Sequence, residues 1–195
     1  MGETLDPAIQ RRPELNAIEI LVEEHKLILK GLDLLTTAAE KIVRNQNPPR
    51  ELFEKAAVFS HEFTNKFHHY KEEIVMFGLL AQKHLGEIDG EIERPRNQHE
   101  ILRNYMSEIS DSLDAYSKNI EAEVRRLHRN LSEYIETLRR HIHAEDKIFY
   151  PLAEKTLTSE EMRDLTAKFE EYATSTGSDE MQVGRAVIEE MSSLV

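Results

Sequence analysis

Two segments of the chain are versions of one another: His68-His69-Tyr70-Lys71-Glu72-Glu73-Ile74-Val75-Met76-Phe77-Gly78 and His141-Ile142-His143-Ala144-Glu145-Asp146-Lys147-Ile148-Phe149-Tyr150-Pro151. Each holds a histidine with a glutamate four residues later. Six residues beyond that glutamate stands Gly78 or Pro151, preceded by an aromatic residue. A lone histidine precedes each segment at nearly the same distance, His25 in Glu23-Glu24-His25-Lys26 and His99 in Asn97-Gln98-His99-Glu100. Residues four apart on a helix share a face, with Cβ atoms about 5–6 Å apart. His68 with Glu72, and His141 with Glu145, can therefore aim at one interior point. The chain reads as a two-fold repeat of helix pairs that delivers four imidazoles and two carboxylates, a donor set suited to metal ions.

The rest of the composition fits that reading. At 195 residues the chain suffices for one well-buried domain. Gly and Pro are scarce, at 7 and 6, and no stretch alternates with a period of two, so long helices are expected. The 37 acidic against 25 basic residues give a net charge of −12. That balance argues against nucleic acid, which is bound through clustered Lys and Arg at phosphates, and against anionic membrane surfaces. There is no apolar run long enough to span a bilayer and no apolar N-terminal leader, which points to the cytosol. With no cysteine, any metal must be held by nitrogen and oxygen alone.

A walk along the chain predicts a polar tail over 1–15 and a first helix from about Asn16 to Arg44. The stop at Asn45-Gln46-Asn47-Pro48-Pro49 follows, then a second helix over roughly 50–84. Gly86 to Pro95 reads as a loop between the halves. A third helix covers about 96–116, and a fourth runs to about Lys155 with Pro151 thinning its last turn. A cap at Thr158-Ser159-Glu160-Glu161 opens a short helix to about residue 173. The link 174–179 then leads to a last helix over 180–193 that either caps the bundle or joins two copies into a homodimer. Short connections make antiparallel neighbours, so the expected architecture is all-α: an up-down-up-down four-helix bundle over 16–173, with one or two short extra C-terminal helices.

The pattern H…HxxxE…H…HxxxE, with an aromatic and a proline after the last carboxylate, resembles the hemerythrin-like (HHE cation-binding) domain over about residues 17–170. The resemblance implies an antiparallel bundle around a non-haem di-iron centre. Carried over position by position, its metal ligands are His25, His68, Glu72, His99, His141 and Glu145. The implied cofactor is two iron ions, oxo- or hydroxo-bridged, and the implied ligands are dioxygen, nitric oxide or peroxide. The chain departs from the oxygen-carrying members, which have a HxxxH pair on the third helix where this one has His99 followed by Arg103. Their last carboxylate is an Asp five residues after its histidine, the offset of Asp146 here, and His69 with Glu73 forms a second HxxxE one step along. Either Glu145 or Asp146 can bridge, and register with His141–Glu145 relative to Gly78 and Pro151 favours His68–Glu72 over His69–Glu73.

Other residues carry weaker expectations. His61 is two turns from His68 and reads as an outer partner or part of an access path, whereas His69 and His143 are rotated off the ligand face. His84 suits a helix end, and His128 reads as solvated. Arg103 reads as exposed, and the series Phe59, Phe63, Phe67 as core. Three function classes fit: a reversible carrier of a diatomic, a di-iron oxidoreductase, or a sensor acting through a partner. Turnover is favoured by an available acid, base or water path, for which His61, Tyr70 and Arg103 are the candidates.

Overall fold

The structure is a computed structural model that describes residues 15–84 and 89–195. The expected tail before Leu15 and the turn at Gly86 lie outside those residues, as does the side chain of His84. Six continuous helical runs account for nearly all of the remainder, with no strand among the described residues. They are α1 (Ala17–Val43), α2 (50–84), α3 (Asp89–Tyr116), α4 (121–156), α5 (Ser159–Ser175) and α6 (Glu180–Ser192).

Local chemistry sets the ends. Asn16 accepts a hydrogen bond from the Glu19 amide at 3.0 Å, while the Glu19 carboxylate accepts from the Asn16 amide at 2.8 Å, a reciprocal cap that starts α1. Thr158 and Glu161 repeat the device at α5. Asn45 and Asn119 take left-handed backbone conformations, with φ of 57° and 54°, which Asn tolerates better than most residues, and the helices stop there. The Tyr116 hydroxyl donates to the Pro48 carbonyl at 2.7 Å, clamping these two turns together.

Contacts between helices fix their relative directions. His25 meets Asp146 and Asp33 meets Arg139, so α1 and α4 run oppositely. His99 meets His141 and Glu108 meets Arg126, which does the same for α3 and α4. Arg50 with Asp114 and Glu73 with Arg103 set α2 against α3. The outer helices lie on the α1–α2 side. A Cβ at Gly184 of α6 would come within 2.9 Å of Phe63 and 3.0 Å of Leu27, so glycine is what permits this close approach. Ile188 and Met191 are buried there, which places α6 on its own chain's helices as a cap.

The interior is divided. One apolar cluster, including Leu21, Met76, Phe77, Ile92 and Phe149, fills one end; a larger one, including Leu32, Phe53, Phe63, Ile109 and Leu131, fills the rest. Between them lies a layer of buried polar residues: Glu24, His25, His68, His69, Lys71, Glu72, His99, His141 and Glu145. Burying so many polar groups is costly unless each is paired, so this layer is the feature of the fold that demands an explanation.

Two expectations are corrected. α3 begins at Asp89, with Pro95 buried inside it, so 89–95 is helix where a loop was expected. The two histidine–glutamate segments also depart from regular α-helix: Ser60–His69, Lys71–Met76 and Glu145–Phe149 are π-helical. A π turn closes its hydrogen bonds to the fifth rather than the fourth residue, widening the helix, and such turns are frequent at functional sites. Pro151, which has no N–H to donate, sits just past the third of them.

Candidate metal centre

α1 supplies His25, α2 supplies His68, His69 and Glu72, α3 supplies His99, and α4 supplies His141 and Glu145. All seven are at most 2% exposed. Their donor atoms form two groups, His69, Glu72, His99 and His141, and His25, His68, Glu72 and Glu145, within each of which every donor lies within 4.8 Å of the others. Glu72 belongs to both. Glu145 also reaches both, with its oxygens 3.4 Å from His25 Nε2, 3.1 Å from His141 Nε2 and 3.8 Å from His99 Nε2. The structure therefore brings together all six residues that the sequence singled out.

It adds a seventh. His69, expected to be rotated away, is 1% exposed and its ring stacks on His99 with centroids 3.6 Å apart. Adjacent residues on an α-helix diverge by about 100°. The wider π turn that ends at His69 lets both His68 and His69 face the interior.

A second ring of residues fixes each imidazole. Nδ1 of His25 lies 2.8 Å from Asp146, that of His68 2.9 Å from Glu24, and that of His99 2.6 Å from Glu73. Nδ1 of His141 is 3.1 Å from the Gln98 side-chain oxygen, and that of His69 is 3.1 Å from the Asn65 oxygen. A carboxylate or amide oxygen only accepts, so Nδ1 carries a hydrogen and Nε2 is turned inward, where it can serve as a ligand once it carries no proton. Outer partners of this kind fix tautomer and ring orientation in metal-binding histidines. Glu24 is itself held by the buried Lys71, whose Nζ lies over the Phe67 ring, and Glu73 by Arg103. Glu73 and Asp146, the alternative ligands on spacing alone, thus occupy this outer ring and not the centre. His61 is 63% exposed and does not reach it, His143 is also exposed, and Arg103 acts on His99 through Glu73.

The protonation pattern shows how strongly the interior calls for positive charge. Burial opposes a charge on His25, but its hydrogen bond to Asp146 and the neighbouring carboxylates of Glu145 and Glu72 outweigh it and hold its pKa at about 10. His99 is raised likewise by Glu145 and Glu73. Burial drives His68 down to about 4 and His141 to about 3, so both are neutral. Burial and the charge of Glu145 push Glu72 well above the usual carboxylate range, which favours its protonated form, whereas the facing histidines hold Glu145 well below that range. These protons stand where cations would. Anaerobic loading with ferrous ion is therefore expected to release protons, and metal affinity is expected to fall as the pH is lowered, because His25, His99 and Glu72 must lose protons to bind. A pH-stat titration that records no release contradicts this.

The donor set fits metal ions on independent grounds. His69 Nε2, Glu72 Oε2 and both Glu145 oxygens are buried without a hydrogen-bond partner among the described residues, and all converge on the two groups. His99 Nε2 and His141 Nε2 face each other at 2.9 Å, an arrangement two lone pairs tolerate only with a proton or cation between or beside them. Imidazole and carboxylate, with no sulfur, suit first-row metals such as iron and zinc. From outside, a small cleft between α3 and α4 of about 60 Å³, roughly two water volumes, reaches Glu145 past Pro95, Ala144, Ile148, Phe149 and Leu152.

A family model described as the hemerythrin HHE cation binding domain matches residues 16–153, which takes in α1 to α3 and most of α4. No curated protein and no solved structure matches the chain.

Proposed function

The chain belongs to the hemerythrin HHE cation-binding domain family, and on that premise we propose that it is a non-haem di-iron protein that binds or reacts with dioxygen, nitric oxide or peroxide. Its four long helices form an up-down-up-down bundle around the centre, and α5 and α6 brace the α1–α2 side. The observation that carries this reading is Glu72, a buried carboxylate common to two four-residue donor groups. A carboxylate has two oxygens and about four lone-pair sites, so it can serve a pair of ions at once.

His69, His99 and His141 would hold one ion and His25 and His68 the other, with Glu72 and Glu145 serving both. Bound iron would supply one-electron redox change and an open position for a small ligand. The protein's own contribution is orientation and exclusion. The outer ring of Glu24, Asn65, Glu73, Gln98 and Asp146 locks the imidazoles, and the apolar clusters on either side keep bulk water away. The cleft at Glu145 is walled by Pro95, Ala144, Ile148, Phe149 and Leu152, with Glu91, Arg94 and Gln98 beside them, and has room for a molecule of two or three atoms.

A turnover reading also has an observation behind it: the Tyr150 hydroxyl touches Glu72 of the centre. An acid available at the reacting atoms favours chemistry over simple carriage. With a net charge of −12, we place its partners among small molecules, and neither nucleic acid nor a membrane is among them. No helix among the described residues is long and apolar enough to cross a membrane.

Exposure of the ferrous-loaded protein to air, followed by absorption spectroscopy, tests the proposal. New near-ultraviolet and visible bands are expected; an unchanged spectrum contradicts it. Within the site, His69→Ala is expected to weaken iron binding at least tenfold, since loss of even an outer partner costs about that much. His128→Ala, half-buried on α4 and outside both donor groups, is expected to leave metal content unchanged. Equal metal affinity in His69→Ala and the wild type would remove His69 from the ligand set.

A further inference from the structure

We propose that the Tyr150 phenol is the hydrogen-bond donor to the small molecule held at the centre, an inference that rests on the di-iron reading. Tyr150 is 1% exposed, and its ring lies nearly parallel to that of His25, at 12° with centroids 5.5 Å apart. Its hydroxyl donates to Glu72 Oε1 at 2.6 Å and sits 3.4 Å from His25 Nε2. The oxygen therefore touches two members, His25 and Glu72, of the group formed by His25, His68, Glu72 and Glu145.

The other donors of the layer are committed elsewhere. The Nδ1 hydrogens of all five histidines point outward to Asp146, Glu24, Asn65, Glu73 and Gln98. Lys71 is spent on Glu24. Once the Nε2 atoms face ions, the imidazoles have no hydrogen left to offer inward. The donors expected from sequence do not reach the centre either: His61 is exposed, Tyr70 is 38% exposed and stacks on Tyr172 at 4.1 Å, and Arg103 is held by Glu73 and Glu100. The buried Thr64 hydroxyl, which has no partner among the described residues, lines a cavity with Leu32, Leu35 and Leu138 and belongs to neither donor group, so Tyr150 O–H is the donor left in contact with them.

The group it adjoins offers two imidazoles, whereas the other offers three, so the side with fewer nitrogens is the side with the donor. The phenolic hydrogen turns about the C–O bond, so it can pass from Glu72 Oε1 to a ligand atom without moving the ring. The ligand class so favoured is a small molecule with an accepting lone pair, such as a peroxide-class species or azide.

Azide is the probe. The diferric protein is titrated with it, and the antisymmetric stretch of bound azide is recorded by infrared in H₂O and D₂O. A band shift in D₂O is expected for the wild type. Tyr150→Phe is expected to keep two irons per chain, lose the shift and bind azide about tenfold more weakly. If Phe is not tolerated, Tyr150→3,5-difluorotyrosine keeps the hydroxyl as a stronger donor and is expected to move the band further. A wild type that takes no azide or shows no shift overturns the proposal, as does a shift that survives in Tyr150→Phe or a band unmoved by the fluorinated residue. Loss of iron from Tyr150→Phe overturns it too, because the phenol would then serve only to hold Glu72. A wild type without iron overturns the di-iron reading as well, and metal analysis shows this before azide is added.

Discussion

Glu72→Ala is expected to take bound iron from two ions per chain to none, the largest effect of any single substitution in the molecule. Each histidine can be lost with the other donor group intact, but Glu72 stands in both. Its removal also strands the Tyr150 hydroxyl in a buried cavity, which costs about 1–3 kcal/mol for an unsatisfied polar group. The informative comparison is Glu73→Ala, one residue along. Glu73 touches His99 from outside, and its loss is expected to weaken binding by about 10–100-fold without abolishing it. Metal analysis of the two variants after equal loading separates these outcomes, and Glu72→Ala holding two irons would sink the shared-carboxylate assignment.

Removal of the metal is expected to have the second largest effect. A ligand that binds only the folded state stabilises it by about 4 kcal/mol when present at a thousand times its dissociation constant. For a chain of this size, each kcal/mol moves the melting temperature by about 2–4 °C. Chelation should therefore lower the melting temperature by roughly 10 °C. The physical source is the polar layer between the two apolar clusters, where His69 Nε2, Glu72 Oε2 and both Glu145 oxygens have no hydrogen-bond partner among the described residues. Identical melting curves before and after chelation, by calorimetry at one pH, would mean that the layer is satisfied without metal.

Much of this was legible in the sequence because it repeats. The matched segments around His68 and His141, the lone histidines His25 and His99, and the stop at Pro48-Pro49 are enough for an all-helical fold and for six inward ligand candidates. His69 escaped because the reading assumed 100° per residue, and the π turn ending at His69 breaks that assumption. No local residue pattern announces that widening. Pro95 misled for a related reason, since a proline normally ends a helix, yet α3 continues through it.

The outer ring was unreadable for a different reason. Asp146 holds His25 from across the fold, and Glu24 holds His68. Neighbours in sequence serve each other's partners, so proximity along the chain points to the wrong pairs. Glu73 and Asp146 looked like rival ligands because they sit beside Glu72 and Glu145. One residue's rotation about the helix, roughly 100°, carries them to the outside, where they accept from Nδ1. Tyr150 did leave a signal. The repeat places Phe77 and Tyr150 at equivalent positions, and the hydroxyl that distinguishes them is the atom that reaches Glu72.

The most direct test of the centre is anomalous diffraction at the iron absorption edge from crystals of the iron-loaded protein. Two peaks about 3.5–4 Å apart, the usual separation in two-metal sites, are predicted on either side of Glu72. One should lie among His69, His99 and His141, and the other beside His25 and His68. A single peak, or peaks only at the surface with none beside Glu72, would contradict a paired metal centre in this interior.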